Sequence, residues 1–436
     1  MDLKCLKLIW IFIILWNHFL FGQGPAPDSL TVDQVVKIVL QKNPAIHGAE
    51  QGVESSRARV GVSKSPLYPN LTGEASYSRV GPVPELTIPG FGTFALFPEN
   101  NYDAHLGLHH LLYDFGRRGK SVDLAQAGVK LSQDNLQTVK SDLAYHSILT
   151  FYNIIFLQKN IDVVNQEIFD LNQHVAVAQK RVEAGTAIEY DVLTTQVRVA
   201  GARSQLEEVR NSLQKQKIKL LELMALPKDT TLLLKGDISI SPFFMERDSL
   251  ISLAEKQRPE YKLALNARAL ADLRRSLAAK GRLPMLNLNL LYGVKNGYIP
   301  DLNVLRGNWV AGLQLQVPVF EGFQTRYKKE EAEADYRASG SQLVNTRNII
   351  ASQVQQALSD VQTSLNKLQT TKVQLNQARE AKDIAATQYA IGVISNLELL
   401  DAETLLTQAH FIYLRAQYDY VISRYALDRA IGHEPW

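Results

Sequence analysis

The chain contains 436 residues, of which 46% are hydrophobic and 21% are charged. Its 47 lysines and arginines nearly balance 44 aspartates and glutamates, and no basic block occurs, so we do not expect nucleic acid as a partner. The sequence lacks the patterns of a phosphate loop, of an HExxH zinc site and of a G-x-S-x-G nucleophile. We therefore expect no enzymatic activity, no cofactor and no metal site.

The N-terminal segment has the features of a secretory signal peptide. Lys4 and Lys7 precede an apolar stretch that ends at Gly22. We expect residues 1–22 to be removed, with a short membrane anchor as the alternative. The only cysteine, Cys5, lies in this segment, so we expect the mature chain to lack disulfides, thiolate metal ligands and a cysteine for lipid attachment.

Short helices and two strands follow the signal peptide. Thr31 and Gln34 have the spacing of a capping box and predict a short helix that stops near Asn43. Prolines bound the next helix and then favour an extended chain. The elements predicted after Asn43 are a helix over 44–64, a strand over 70–78, a Gly/Pro-rich loop over 79–101 and a strand over about 102–113.

A single long helix is predicted over 119–182, because neither proline nor a pair of helix breakers interrupts this stretch. It would contain roughly 65 residues and be about 100 Å long. A turn at Ala184-Gly185 reverses the chain. A returning helix is predicted over about 188–224, so the two helices form a long hairpin with its tip at 184–187.

The second half of the chain repeats the first. A shift of 207 residues places Gly185 on Gly392, and a shift of 215 residues places Pro44 on Pro259. Each copy is therefore one large supersecondary unit. The predicted organisation is a first repeat over 23–226, a partly extended connector over 227–247 and a second repeat over 248–436. The elements predicted in the second repeat are a helix over 259–280, strands over about 285–294 and 307–319, a long helix over about 325–390, a tip at 391–394 and a final helix ending at Ile431.

Each returning helix would be about 55 Å long, roughly half the length of the long helix. A shorter helix stacked end to end would complete the column. We expect the helix over 259–280 to stack on the first returning helix and the helix over 44–64 to stack on the C-terminal helix. Alternating spacings of four and three predict coiled-coil packing, as in the series Val354, Leu358, Val361, Leu365, Leu368 and Leu375.

The predicted strands alternate apolar with polar or small residues. Each is about ten residues long, which is typical of a tilted transmembrane β-strand with one face in lipid and the other in water. A soluble two-layer sheet is the alternative for one hairpin alone. Four strands cannot close a barrel and open edges are not tolerated in a bilayer, so several copies would share one barrel. A periplasmic coiled-coil tether would explain the heptads but not the strands.

Two related stretches occupy the hairpin tips. They are QKRVEAGTAIEYDVLTTQ at 179–196 and ATQYAIGVISNLELLDAE at 386–403. Each carries an aromatic or aliphatic residue, then two further positions and a glycine, a hydroxyl or small residue, and an acidic residue before Val/Leu-Leu. With this motif placed twice, the chain resembles the TolC family of outer-membrane efflux and export ducts over nearly its whole mature length.

The resemblance implies a mainly α fold with a transmembrane β-barrel. Three copies would contribute twelve strands to the barrel, which an α-helical barrel would continue into the periplasm of a Gram-negative bacterium. The implied function is the outer-membrane duct of a tripartite efflux or type I secretion system. The implied partners are two further copies, a periplasmic adaptor, an inner-membrane pump and outer-membrane lipid. The sequence leaves open whether the cargo is a drug, a metal ion, a polypeptide or another solute.

The resemblance also implies roles for residues at the tips. Adaptor hairpins would dock on Gly185, Thr186, Gly392 and Val393, although both glycines also have the pattern of C-terminal helix caps. In the family, an arginine two residues after the second tip glycine can form a salt bridge that holds the gate closed. This chain has Ile394 at that position, so it cannot form this salt bridge. Tyr389 and Asp191 fall on positions that hold the entrance closed.

Glu398 and Asp401 would form an acidic ring at the periplasmic entrance, since their spacing places them on one helix face. Ser395 and Glu398 also have capping-box spacing, which is a competing explanation for Glu398. Three neighbouring histidines, His105, His109 and His110, are not expected to bind metal, because His109 and His110 would face opposite sides of a strand.

Overall fold

The computed structural model describes residues 29–90, 92–236 and 247–434. The predicted signal peptide and part of the predicted connector lie outside these ranges. The first repeat contains helices α1 (Val32–Lys42), α2 (Pro44–Lys64), α3 (Arg117–Glu183) and α4 (Glu189–Leu223), a 3₁₀ turn (Ser65–Leu67), and strands β1 (Asn70–Arg79), β2 (Glu85–Ile88), β3 (Gly92–Ala95) and β4 (Asn100–Tyr113).

The second repeat has the same order of elements. It contains helices α5 (Arg247–Gln257), α6 (Pro259–Ala279), α7 (Gln324–Ala390) and α8 (Asn396–Ile431), with strands β5 (Met285–Lys295) and β6 (Arg306–Gln316) between α6 and α7. The long helices α3 and α7 each contain 67 residues. The internal repeat read from the sequence is therefore present in the fold, and the predicted helix bounds agree within a few residues.

Two local differences from the prediction have clear causes. Strand β6 ends at Gln316, not near 319, because Pro318 has no N–H to donate to a ladder. The loop predicted over 79–101 contains the short hairpin β2–β3, in which Leu86 pairs with Phe94 and Thr87 with Thr93. Alternation over only four residues per strand is too short a signal to separate from a loop.

The helix stacking predicted from lengths is wrong in its pairing. Asn43 links the start of α2 to the end of α4: its Oδ1 accepts from the Ala45 N–H at 2.9 Å, and its Nδ2 donates to the Leu223 carbonyl at 2.8 Å. One side chain thus satisfies free backbone groups at two helix ends. Helix α2 therefore continues α4 within the first repeat, rather than α8.

The same arrangement occurs in the second repeat. Helix α8 is capped by Gly432, which has φ 75°. A Cβ on this glycine would lie 2.7 Å from the backbone nitrogen of Arg258, the N-cap of α6. Helix α6 therefore continues α8. Since α2 and α6 have the same length, helix length could not decide which column each one completes.

Buried apolar residues line the helices in the predicted heptad register. Val354, Val361, Leu368 and Leu375 on α7 are at most 7% exposed. One large cluster joins α1, α3, α4, the start of the connector and α8, and a second joins α5, α7 and α8. In the described part of the connector, residues 227–236, Leu234 forms a parallel bridge with Leu30. Within the described ranges, we find no helix that is both long and apolar enough to span a membrane.

The four longer strands form one antiparallel sheet in the order β1-β4-β5-β6. Directly paired residues lie on the same face of a sheet. His110, and Arg79 and Asn100 at the strand ends, interrupt the apolar face. The apolar residues Leu111, Met285, Leu291 and Val310 interrupt the polar one. The apolar face is formed by Leu71, Ala75 and Tyr77 on β1, Tyr102, Ala104, Leu106 and Leu108 on β4, Leu286, Leu288, Leu290, Tyr292 and Val294 on β5, and Trp309, Ala311, Leu313 and Leu315 on β6.

The opposite face is mainly polar. His105 lies there between Asp103, at 2.8 Å, and Glu74, at 3.7 Å, and His109 contacts the Asn289 side chain at 2.9 Å. Within the described part of the chain, β1 and β6 pair on one side only. A single chain therefore presents an amphipathic sheet with two free edges.

Candidate functional site

Both helical hairpins reverse direction through the same backbone motif. At the first tip, the Thr186 N–H donates to the Arg181 carbonyl at 2.8 Å and the Gly185 N–H to the Val182 carbonyl at 2.9 Å. At the second tip, Val393 and Gly392 make the matching bonds to Gln388 and Tyr389. This pair of bonds is the Schellman motif, which requires a residue with positive φ.

The two tip glycines meet that requirement, with φ 71° at Gly185 and 78° at Gly392. Among the described residues, no heavy atom lies within 4 Å of a Cβ built at either position, so backbone conformation rather than space favours glycine. The cap function predicted for these glycines is confirmed. Large apolar side chains surround the tips in full contact with solvent: Ile188, Tyr190, Ile391, Val393 and Leu397 are 61–72% exposed.

Glu398 occupies the capping box at the start of α8. Its carboxylate accepts from the Ser395 N–H and from the Ser395 hydroxyl, both at 2.7 Å, and the Glu398 N–H donates to Ser395 Oγ at 3.3 Å. These hydrogen bonds lower the pKa of Glu398 below its ordinary value. The capping box predicted from the spacing of Ser395 and Glu398 is therefore present, and it leaves the Glu398 carboxylate exposed and ionised.

Asp401 lies on the same helix face and pairs with Arg198 of α4, with 3.2 Å between Nη2 and Oδ1. Arg198 also donates to the Leu400 carbonyl at 3.1 Å and to the Thr404 hydroxyl. One guanidinium thus holds the returning helix of the first hairpin to that of the second. The aspartate carboxylate remains 61% exposed.

Tyr389 is buried at the end of α7, with 6% of its surface exposed. The Arg181 guanidinium lies 4.2 Å from the centre of its ring, and Arg181 donates to the Tyr389 and Ala390 carbonyls at 2.7 and 2.8 Å. The Tyr389 hydroxyl is buried and has no hydrogen-bond partner among the residues that the structure describes. Asp191 joins this junction through its backbone carbonyl, which accepts from Asn396 Nδ2 at 3.3 Å.

His174 of α3 is a further member of the junction. Its Nε2 lies 2.6 Å from Asn396 Oδ1, its Nδ1 lies 3.5 Å from Glu403 Oε1, and its ring stacks on Tyr389 with 5.4 Å between centroids. Burial by itself lowers the pKa of His174, but the bonds to Glu403 and Asn396 and the charge of Glu403 outweigh burial and the opposing charge of Arg181. The pKa is therefore raised above the ordinary value.

The sequence prediction missed these links between the hairpins, made by Arg181, His174 and Arg198 to the second repeat. A signal was nevertheless present. The shift of 207 residues places Ala381, Gln388 and Leu405 on His174, Arg181 and Arg198, so the three residues lie where the repeats differ. Helices that pack through a shared heptad pattern do not need charged or polar side chains at these positions. A charged residue present in one repeat and absent from the other therefore indicates a contact that only one repeat makes.

The chain matches the family model described as "Outer membrane efflux protein" over residues 35–226 and 250–433. The chain belongs to this family. The outer membrane efflux protein BepC of Brucella suis is 23% identical over 98% of this chain and 90% of its own length, and the outer membrane protein TolC of Escherichia coli is 18% identical over 96% and 85%.

Solved structures show the same fold. The Campylobacter jejuni CmeC outer membrane channel superposes with a TM-score of 0.77 over 95% of this efflux protein and 90% of that chain, at 19% identity. CusC superposes with a TM-score of 0.81 over 95% and 96%, at 17% identity. The predicted family, the helical architecture with paired strands, the outer-membrane location and the channel function are confirmed.

Proposed function

We propose that three copies of this efflux protein form one closed duct, with twelve strands in the membrane and a tube of helices in the periplasm. The observation that carries this proposal is the amphipathic sheet with free edges at β1 and β6. The N–H and C=O groups of a free edge cannot be satisfied in lipid, so the edge must pair with another copy. Two copies would make a barrel of eight strands, and side chains fill the interior of a barrel of that size. Three copies leave an open lumen.

The proposed duct receives its cargo at the hairpin tips from an inner-membrane pump through a periplasmic adaptor. Two features support docking at this end. The tip turns at Gly185-Thr186 and Gly392-Val393 consist of small or exposed residues, and the large apolar side chains around them are more than 60% exposed. Exposed apolar patches of this kind are typical of sites that bind another protein.

We further propose that Glu398 and Asp401 line the periplasmic entrance, where three copies would bring six carboxylates together. Glu398 keeps one carboxylate oxygen outside the capping box, and Asp401 is only partly neutralised by Arg198. A ring of such groups favours cations over anions. Tyr389 and Asp191 would contribute to the closed gate through the junction of the two hairpins.

The test combines assembly with conductance. Mass measurement in mild detergent is expected to give three chains, and reconstitution in a planar bilayer is expected to give channels that are small or rarely open. A tether would give no conductance. A stable, folded monomer in the absence of detergent would contradict the proposal, because the barrel does not exist in one chain.

A further inference from the structure

A buried histidine lies between the two hairpins near their tips. The His174 side chain is 4% exposed, and its ring nitrogens face two residues of α8, Asn396 and Glu403. The histidine belongs to the outgoing helix of the first hairpin and both partners belong to the returning helix of the second. Any motion that separates the hairpins at this level therefore breaks both contacts.

Glu403 needs a positive partner where it lies. Its side chain is 16% exposed, and its second oxygen, Oε2, is buried without a hydrogen-bond partner in the described part of the chain. A buried carboxylate is costly unless a cation or hydrogen bonds compensate it. Protonated His174 supplies both, since it donates from Nδ1 towards Glu403 and from Nε2 to Asn396. Neutral His174 can donate from only one nitrogen.

The other groups around His174 come from every neighbouring helix. Arg181, on the same helix, is the nearby positive charge, and it is held by the α7 carbonyls. From α7, the Tyr389 ring stacks on the imidazole. From α4, the Asp191 carbonyl fixes the Asn396 amide, which assigns Oδ1 to the histidine. Leu171 on α3 packs with Val199 of α4 and Leu400 of α8 in a buried apolar cluster.

We propose that His174, Asn396 and Glu403 form a proton-dependent clasp, in which the protonated histidine holds the two hairpins of a chain together and its deprotonation eases opening of the entrance. The proposal rests on the proposed function, since it requires a duct whose entrance opens by separation of the hairpins. His174 acts here as a positioning residue and does not touch the cargo.

The direction of the pH effect follows from the contacts. The clasped arrangement raises the pKa of His174, whereas an opened hairpin would expose the ring to water and return the pKa to about 6.5. The stabilisation of the closed state is thus complete below the open-state pKa and is lost as the pH rises through the clasped-state pKa. Each unit of difference between the two values changes the closed-to-open ratio tenfold.

The test measures open probability of the full-length trimer in planar bilayers, with the pH on the tip side varied from about 5.5 to 8.5, a range centred near the ordinary histidine value. Wild type is expected to open more often as the pH rises. His174→Gln keeps a donor for Asn396 but cannot titrate, so its open probability should be higher at low pH and nearly independent of pH. His410→Gln is the matched control, because His410 is a partly buried histidine on α8 outside the clasp.

A second measurement does not depend on gating. The pKa of His174 in intact trimer can be read from hydrogen–deuterium exchange at the imidazole C2 position, resolved by mass spectrometry. It should lie above the ordinary value in wild type and fall in Glu403→Gln. An unraised value, or a pH response of His174→Gln equal to that of wild type, would overturn the clasp. Absence of channels from wild-type protein would instead overturn the proposed duct.

Discussion

Replacing the tip glycines separates their structural role from docking. Gly185 and Gly392 have positive φ, which costs a residue with a Cβ about 1–2 kcal/mol. No neighbouring atom among the described residues adds a clash. Gly→Asn should cost least, because asparagine tolerates this conformation, and Gly→Val most, because β-branched side chains are restricted further.

These costs are small beside the packing of two 67-residue helices, so the trimer should still assemble. Docking should respond differently, because a valine at the tip adds bulk where an adaptor must approach the backbone. We expect Gly185→Val with Gly392→Val to abolish export, and the two Asn variants to retain part of it.

The assay measures export in a host that carries only the variant duct, together with trimer content of its outer membrane. Normal export by the double valine variant, at normal trimer content, would show that the tips are turns without a docking role. Loss of trimer in the valine variant but not in the asparagine variant would show that the cap conformation, rather than docking, limits this protein.

Three further predictions concern the helix junction, the acidic residues of the entrance and the pH dependence of its cation preference. Asn43→Ala should lower the free energy of unfolding by about 2–4 kcal/mol, since it removes an N-cap and leaves the partly buried Leu223 carbonyl without its donor. Thermal unfolding followed by circular dichroism measures this free energy. As a control, replacement of the exposed Asn172 by alanine should change it by less than about 0.5 kcal/mol. Equal effects of the two variants would contradict the capping argument. Glu398→Gln with Asp401→Asn should abolish cation preference and block by multivalent cations added from the tip side, as measured by reversal potentials, and unchanged selectivity would remove both acids from the entrance. In wild type, cation preference should persist well below neutral pH, because the pKa of Glu398 is lowered, and should fade only when acid protonates the ring.

The local features of this protein could be predicted from its sequence, because each depends on neighbouring residues. Prolines and glycines mark the ends of the helices, the period of apolar residues separates helices from strands, and the repeat predicts two similar units. The cap at Ser395 and Glu398 and the turns at Gly185 and Gly392 are local in the same sense. Each needs only a few consecutive side chains and their own backbone.

Only the tertiary structure decided which elements of similar shape lie together. Helices α2 and α6 could each complete either column, and the choice depends on the Asn43 side chain meeting a carbonyl 180 residues away. The junction around His174, Tyr389 and Glu403 likewise joins residues from both repeats. Heptad packing favours many alignments of the helices almost equally. A buried charge or a free helix end, in contrast, finds its partner in only one alignment, and sequence spacing does not identify that partner.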